Sequence, residues 1–163
     1  MSRNITITEE DRRFMQMACD LASENVDCGG GPFGAVIVKD GEVIAAAGNS
    51  VTLDNDPTAH AEVNAIRRAC SLLDSFKLDG CVIYCSSEPC PMCLGALYWA
   101  RVSRIYYGNS TAEADRFSFG DLDIYRELEK PNLERSIPCI HIEATNTLDA
   151  FSKWADKEDK VEY

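Results

Sequence analysis

Two short runs, His60-Ala61-Glu62 and Pro89-Cys90-Pro91-Met92-Cys93, constrain what this chain can fold into more than any other feature. Imidazole and thiolate are zinc donors, and a catalytic zinc takes three protein ligands while keeping one position open. His60, Cys90 and Cys93 make such a set only if two distant segments converge on one point. Cys90 and Cys93 are three apart, so on a helix they share a face. Pro89 and Pro91 suit a helix start, where a missing N–H costs little. Thiolates placed there are favoured by the helix dipole. His60 and Glu62 are two apart, which in mid-helix would point them about 200° from each other. They can address one ion only from a first turn. The spacing therefore predicts two helix N-termini that meet, with Glu62 beside the metal as a proton carrier and not as a ligand.

The remaining sequence supplies the elements. Thr8-Glu9-Glu10-Asp11 is a capping-box signature ahead of Phe14, Met17, Ala18, Leu21 and Ala22 at helical spacing, which predicts a helix near 8–26. Gly29-Gly30-Gly31-Pro32 ends it. Ala35 to Val38 and Val43 to Ala45 flank Asp40-Gly41 and read as a hairpin. A polar loop from Asn49 to Pro57 precedes a helix from His60 to Leu73. Then come a buried strand over 81–85, a helix over 89–100 and a strand over 105–107. A helix near 121–129, a strand near 138–143 and a last helix from 147 complete the order. Strands alternating with helices after an opening hairpin predict an α/β fold: a three-layer α/β/α sandwich around a mixed five-stranded sheet, in a single domain over 1–163.

Composition narrows the function classes. Apolar residues at 45% and charged residues at 26% fit a globular chain. The net charge of −11 repels phosphate backbones, and Arg67-Arg68, Arg101 and Arg104 read as solvated surface, so a nucleic-acid partner is not expected. No apolar run approaches the roughly 20 residues of a membrane span. The run Met1-Ser2-Arg3-Asn4-Ile5-Thr6 lacks the apolar core of a signal peptide, so the expectation is a cytoplasmic protein. The eight cysteines then read as reduced thiols, with Cys70, Cys81, Cys85 and Cys139 as small core residues. Only Cys90 and Cys93 have ligand spacing. Two bland readings stand beside the catalytic one. Cys90 and Cys93 could be a redox pair, or Cys85 could close a structural zinc site.

The H-x-E and P-C-x-x-C pair resembles the signature of zinc-dependent nucleobase deaminases. The runs Gly31-Pro32-Phe33-Gly34-Ala35-Val36-Ile37-Val38-Lys39-Asp40-Gly41, Asn55-Asp56-Pro57-Thr58-Ala59-His60-Ala61-Glu62-Val63 and Glu88-Pro89-Cys90-Pro91-Met92-Cys93-Leu94-Gly95-Ala96-Leu97-Tyr98-Trp99-Ala100-Arg101 resemble bacterial guanine deaminases of the cytidine/deoxycytidylate deaminase superfamily. The similarity extends to Ile124-Tyr125, to Glu134-Arg135-Ser136-Ile137-Pro138 and to Glu162-Tyr163. It implies a cytidine-deaminase-like fold and hydrolytic deamination of guanine to xanthine and ammonia in purine catabolism or salvage. Zinc-bound hydroxide is the implied nucleophile and Glu62 the implied proton shuttle. It further implies zinc on His60, Cys90 and Cys93, and substrate contacts from Asn49, Phe33, Ala61, Trp99 and Asp121. The tail from about 156 to 163 would close Tyr163 over a site, in a homodimer exchanged through its C-terminal segment.

Bland readings remain for these residues. Phe33 and Trp99 fit a core, Asn49 a turn and Tyr163 a solvated tail. One departure bears on substrate choice: Ser118-Phe119-Gly120-Asp121 stands where the resemblance implies Gly-Phe-Asp-Asp. Guanosine or another base, a tRNA adenosine, and a zinc or redox module without turnover are the alternatives.

Overall fold

Asp40 and Gly41 both have left-handed backbone, with φ of 51° and 81°, and turn the chain from β1 (Gly31–Lys39) into β2 (Glu42–Asn49). Two consecutive positive φ values match the right-handed twist of a tight hairpin, and glycine at the second costs nothing. β1 also pairs antiparallel with β3 (Val82–Ser87), and β3 pairs parallel with β4 (Arg104–Asn109). The sheet order is β2-β1-β3-β4. The computed structural model describes residues 5–163, so the run Met1 to Asn4 lies outside the described residues. These residues form two compact units that divide after Leu122.

Period-two alternation sorts the side chains of the sheet into two cores. Val36, Val38 and Tyr84 face α1 (Glu9–Asp27), where Phe14 and Ala18 pack on them. Ala35, Ile37, Ile83 and Cys85 face the other way. There they meet Ala61, Ala65 and Ala69 of α3 (Ala61–Leu73) and Leu97 and Ala100 of α4 (Pro91–Ala100). Helices thus cover both faces, as the sequence predicts. Thr8 and Asp11 close the expected capping box: Thr8 N–H donates to Asp11 Oδ2 at 2.8 Å and Asp11 N–H to Thr8 Oγ1 at 3.1 Å.

Two short helices had no periodicity to announce them, α2 (Val51–Asp54) inside the polar loop and α5 (Thr111–Asp115) after β4. The unit from Asp123 onward contains most of α6 (Leu122–Glu129) and all of α7 (Asp149–Ala155). Glu127 organises it, accepting from Ser136 N–H at 2.6 Å and Ser136 Oγ at 3.0 Å.

The sheet has four strands among the described residues, and the expected fifth over 138–143 is coil. Ile140 and Ile142 alternate as a strand would, yet they are 70% and 79% exposed. Periodicity marks a segment able to be a strand; a ladder needs a neighbouring strand, and Pro138 lacks an N–H to give one. Cys139 is correspondingly exposed and not core, while Cys81 and Cys85 are buried as expected.

Candidate active site

His60 occupies the N-cap of α3 with φ −69° and ψ 156°, and Cys90 the N-cap of α4 with φ −63° and ψ 167°. Both conformations are extended, so each side chain leaves the helix end instead of lying along its flank. Pro91 sits in the first turn of α4, where its fixed φ is already helical. Cys90 Sγ accepts the Cys93 N–H at 3.4 Å, so the thiol itself caps the helix. Ahead of α3, Asp56 Oδ1 accepts the Thr58 N–H at 2.8 Å, and Ser50 N–H reaches Ala59 O at 2.9 Å. These bonds fix the loop that delivers His60. Because α3 and α4 share one core, their N-termini meet.

The donor atoms of His60, Cys90 and Cys93 lie within 4.8 Å of one another, and each Sγ is 3.5 Å from His60 Nδ1. Zinc–sulfur and zinc–nitrogen bonds of about 2.3 and 2.0–2.1 Å, opened to a tetrahedral angle, put sulfur and nitrogen about 3.6 Å apart. The donors therefore fit zinc in both chemistry and spacing. Cys85 is buried in the core and is not among the convergent donors, which leaves a three-ligand set with one position open.

The electrostatics are set by these contacts. Hydrogen bonds from Cys93 and then His60 bring the Cys90 thiol down to about 4. The same bond with Cys90 pushes Cys93 up, and the Cys90 contact raises His60. Glu62, in the first turn of α3 and only 8% exposed, has its carboxyl pushed up by burial. That is the direction a proton carrier working near neutral pH requires.

A cleft of 530 Å³ opens onto His60, Glu62 and Cys90, and is otherwise lined by Gly30 to Phe33, Asn49, Val51, Thr52, Glu88 and Ser118 to Asp121. Of the residues singled out in the sequence, Phe33, Asn49 and Asp121 line it. Phe33 meets Phe119 edge-on, with ring centroids 5.1 Å apart. Burial, and then Cys90, push the Asp121 carboxyl up. Ala61 is buried at the first position of α3. Trp99 stands apart from the cleft: it is 70% exposed on α4 and borders a separate depression with Tyr98 and Arg101. Tyr163 is exposed and packs edge-on to Trp154 within the second unit. At Gly120 a Cβ would lie 2.2 Å from Asp115 Oδ1, so an existing carboxylate already occupies the space a side chain would need.

Sequence reasoning missed Glu88 as a lining residue, and with it Thr111, whose N–H and Oγ1 both donate to Glu88. The one available signal was the capping-box run Ser110-Thr111-Ala112-Glu113, which marks a helix start at that point.

Comparison with known proteins agrees with this geometry. The family described as cytidine and deoxycytidylate deaminase, zinc-binding region, matches residues 8–109, which include both motifs. The guanine deaminase of Bacillus subtilis is 51% identical over 151 residues, covering 92% of this chain and 97% of that protein. An X-ray structure of that guanine deaminase superimposes with a TM-score of 0.92 at 49% identity, covering 96% of this chain and 99% of the other. The tRNA-specific adenosine deaminase of Aquifex aeolicus is 36% identical over 143 residues, covering 86% of this chain and 92% of that protein. Fold, donor triad and matched region coincide: the chain belongs to the zinc-binding cytidine and deoxycytidylate deaminase family.

Proposed function

We propose that the chain deaminates guanine hydrolytically to xanthine and ammonia. One observation carries the reading: a donor triad fit for zinc and a buried carboxyl open together onto a cleft of small-molecule size, in a chain half identical to a guanine deaminase over nearly its whole length. When bound, zinc lowers the pKa of water to near neutral and so supplies the nucleophile. His60, Cys90 and Cys93 hold it. With zinc held there, Glu62 would take one proton from the water and pass it to the ring nitrogen beside C2, then take the proton of the hydroxyl newly bonded to C2 and pass it to the amino group, so that ammonia leaves as the C2 carbonyl forms. Such proton transfer is worth about 10²- to 10⁴-fold. Asn49 hydrogen-bonds the base, Phe33 forms an apolar wall, and Ala61 and Asp121 complete the contacts.

The proposal extends to a homodimer working in the cytoplasm. Met92, Tyr98 and Trp99 are exposed on α4, and a Cβ at Gly95 would meet open space, so this helix offers an apolar face to a second copy. Exposed Ile140, Ile142 and Phe151 favour exchange of the C-terminal segment, by which Trp99 and Tyr163 would act at a site completed by the partner. Light scattering on the purified protein measures that state directly.

The function is tested by ammonia release from the zinc-loaded protein with guanine, guanosine, adenine and cytosine offered separately. Release from guanine alone is expected. Release from another compound with guanine inert would keep the site and replace the substrate.

A further inference from the structure

Asn25, near the end of α1, and Asn64, in α3, bond neighbouring residues at the end of β2 from opposite faces of the sheet. Asn25 Nδ2 donates to Gly31 O at 2.7 Å and to Asn49 O at 2.8 Å. Gly31 and Asn49 are paired at the far end of the β1–β2 ladder, beyond its irregularity between Gly31 and Gly34, and one side-chain amide bridges both strands there. From the other face, Asn64 Nδ2 donates to Gly48 O at 3.1 Å, Ser50 Oγ at 3.0 Å and Ala59 O at 3.3 Å. Asn49 is thus held by its backbone from one side, and its neighbours Gly48 and Ser50 are held from the other.

The glycines here serve space and not conformation, since neither Gly30 nor Gly48 has a positive φ. A Cβ at Gly30 would lie 2.4 Å from Asn25 Nδ2, and one at Gly48 would lie 2.2 Å from Asn25 Oδ1. Both are glycine where the Asn25 amide passes. What the arrangement positions is the side chain of Asn49. Its Oδ1 accepts the Val51 N–H at 3.3 Å, which fixes the amide plane. Its Nδ2 makes no hydrogen bond among the described residues, and the residue lines the cleft.

We propose that Asn25 and Asn64 are positioning residues that aim the free Asn49 donor at an acceptor on the base. The inference rests on the reading of Asn49 as a substrate contact. Asn25 touches neither metal donors nor reacting atoms, so its effect belongs in substrate binding and not in zinc content; Asn64 also bonds Ala59 O, and its N–H donates to His60 O at 2.9 Å, so the Asn25 variants carry the test.

The test is steady-state kinetics on the zinc-loaded full chain, with the base that the wild type deaminates, guanine first. The variants are Asn25→Ala, Asn49→Ala, the pair together, and Gly48→Ala. Asn25→Ala should raise KM about 10-fold, the scale of one or two lost hydrogen bonds, with kcat within about 2-fold and zinc content unchanged. The double variant should be no worse than Asn49→Ala, because Asn25 acts through Asn49. Gly48→Ala, which removes no hydrogen-bonding group, should raise KM in the same way by displacing the Asn25 amide. If Asn25→Ala does not fold, Gly48→Ala carries the same comparison. An unchanged KM, or effects that multiply in the double variant, would overturn the proposal. An Asn49→Ala enzyme with wild-type KM would overturn it too, since nothing would need aiming. Failure of the guanine reading is seen separately, in the wild type's choice of base.

Discussion

One oxygen of Glu88, Oε2, accepts two hydrogen bonds from Thr111, one from its backbone N–H at 3.0 Å and one from Oγ1 at 2.9 Å. Glu88 also donates its own N–H to Asn109 O at 2.7 Å. The residue two before Cys90 is therefore pinned to the end of β4 and to the first turn of α5. That helix leads directly into Ser118 to Asp121, which line the cleft.

Glu88→Ala leaves the donors of buried Thr111 without a partner, a loss of about 1–3 kcal/mol of stability. Glu88→Gln keeps an accepting oxygen and should cost less. Urea melts of the two variants check the order; equal midpoints would show that Thr111 finds other partners.

Glu62→Gln should keep its zinc and lose about 10²- to 10⁴-fold in kcat, because the amide preserves the size of the buried side chain but carries no transferable proton. Metal analysis alongside ammonia release separates this from loss of the site. An active Glu62→Gln protein would assign the proton transfers elsewhere.

Chelating the zinc should abolish turnover, and adding it back should restore it. The metal-free protein should expose Cys90 and Cys93 to a thiol reagent, and reloading near neutral pH should release protons, chiefly that of the Cys93 thiol, since Cys90 at about 4 is already a thiolate. A reversible Cys90–Cys93 disulfide with activity independent of zinc would instead describe a redox module.

Tyr84 Oη donates to Asp11 Oδ1 at 2.7 Å, joining β3 to the first turn of α1. Hydrogen bonds from Thr8, reinforced by Tyr84, hold the Asp11 carboxyl below its ordinary range. The sign follows from that depression. The stabilisation is complete above the unfolded carboxylate value of about 4, and is lost as pH falls through the lower folded one. Tyr84 is shifted the opposite way, raised by burial and then by Asp11, so its share is present below about 10 and is lost as pH rises past it. Wild type should therefore exceed Asp11→Asn in urea melts at pH 6, and the gap should close toward pH 3. A gap independent of pH would count against the carboxylate.

Removing Val161 to Tyr163 should slow turnover by about 10-fold with the melting temperature moved by no more than about 2 °C, because Tyr163 and Val161 are exposed and contribute little burial. Full activity in the truncated protein would end the role of Tyr163 over a site.

Each half of the metal site was legible in the sequence because each motif has local geometry. Two residues at His60 and Glu62 spacing can share a site only from a helix start; the sequence placed both in the first turn, and His60 lies one residue earlier, at the N-cap. The hairpin was legible for the same reason, since Asp40-Gly41 encodes its own turn. What could not be read depended on partners far along the chain. The segment 138–143 has strand periodicity and no ladder, and Trp99 lies on a helix that is apolar all round, so no stripe tells which side faces inward. Glu88 was hidden because its partner Thr111 lies 23 residues on, and the capping-box run around Thr111 marks a helix start without naming Glu88.

Two of the metal donors, His60 and Cys90, line the cleft from helix N-termini, while much of the remaining wall comes from the open end of a hairpin and the Ser118–Asp121 segment. Much of the cleft wall is thereby encoded away from the two metal-donor motifs. A change at the hairpin end or in that segment can alter what fits without moving a donor atom, so drift in substrate preference does not have to pass through a catalytically dead ancestor.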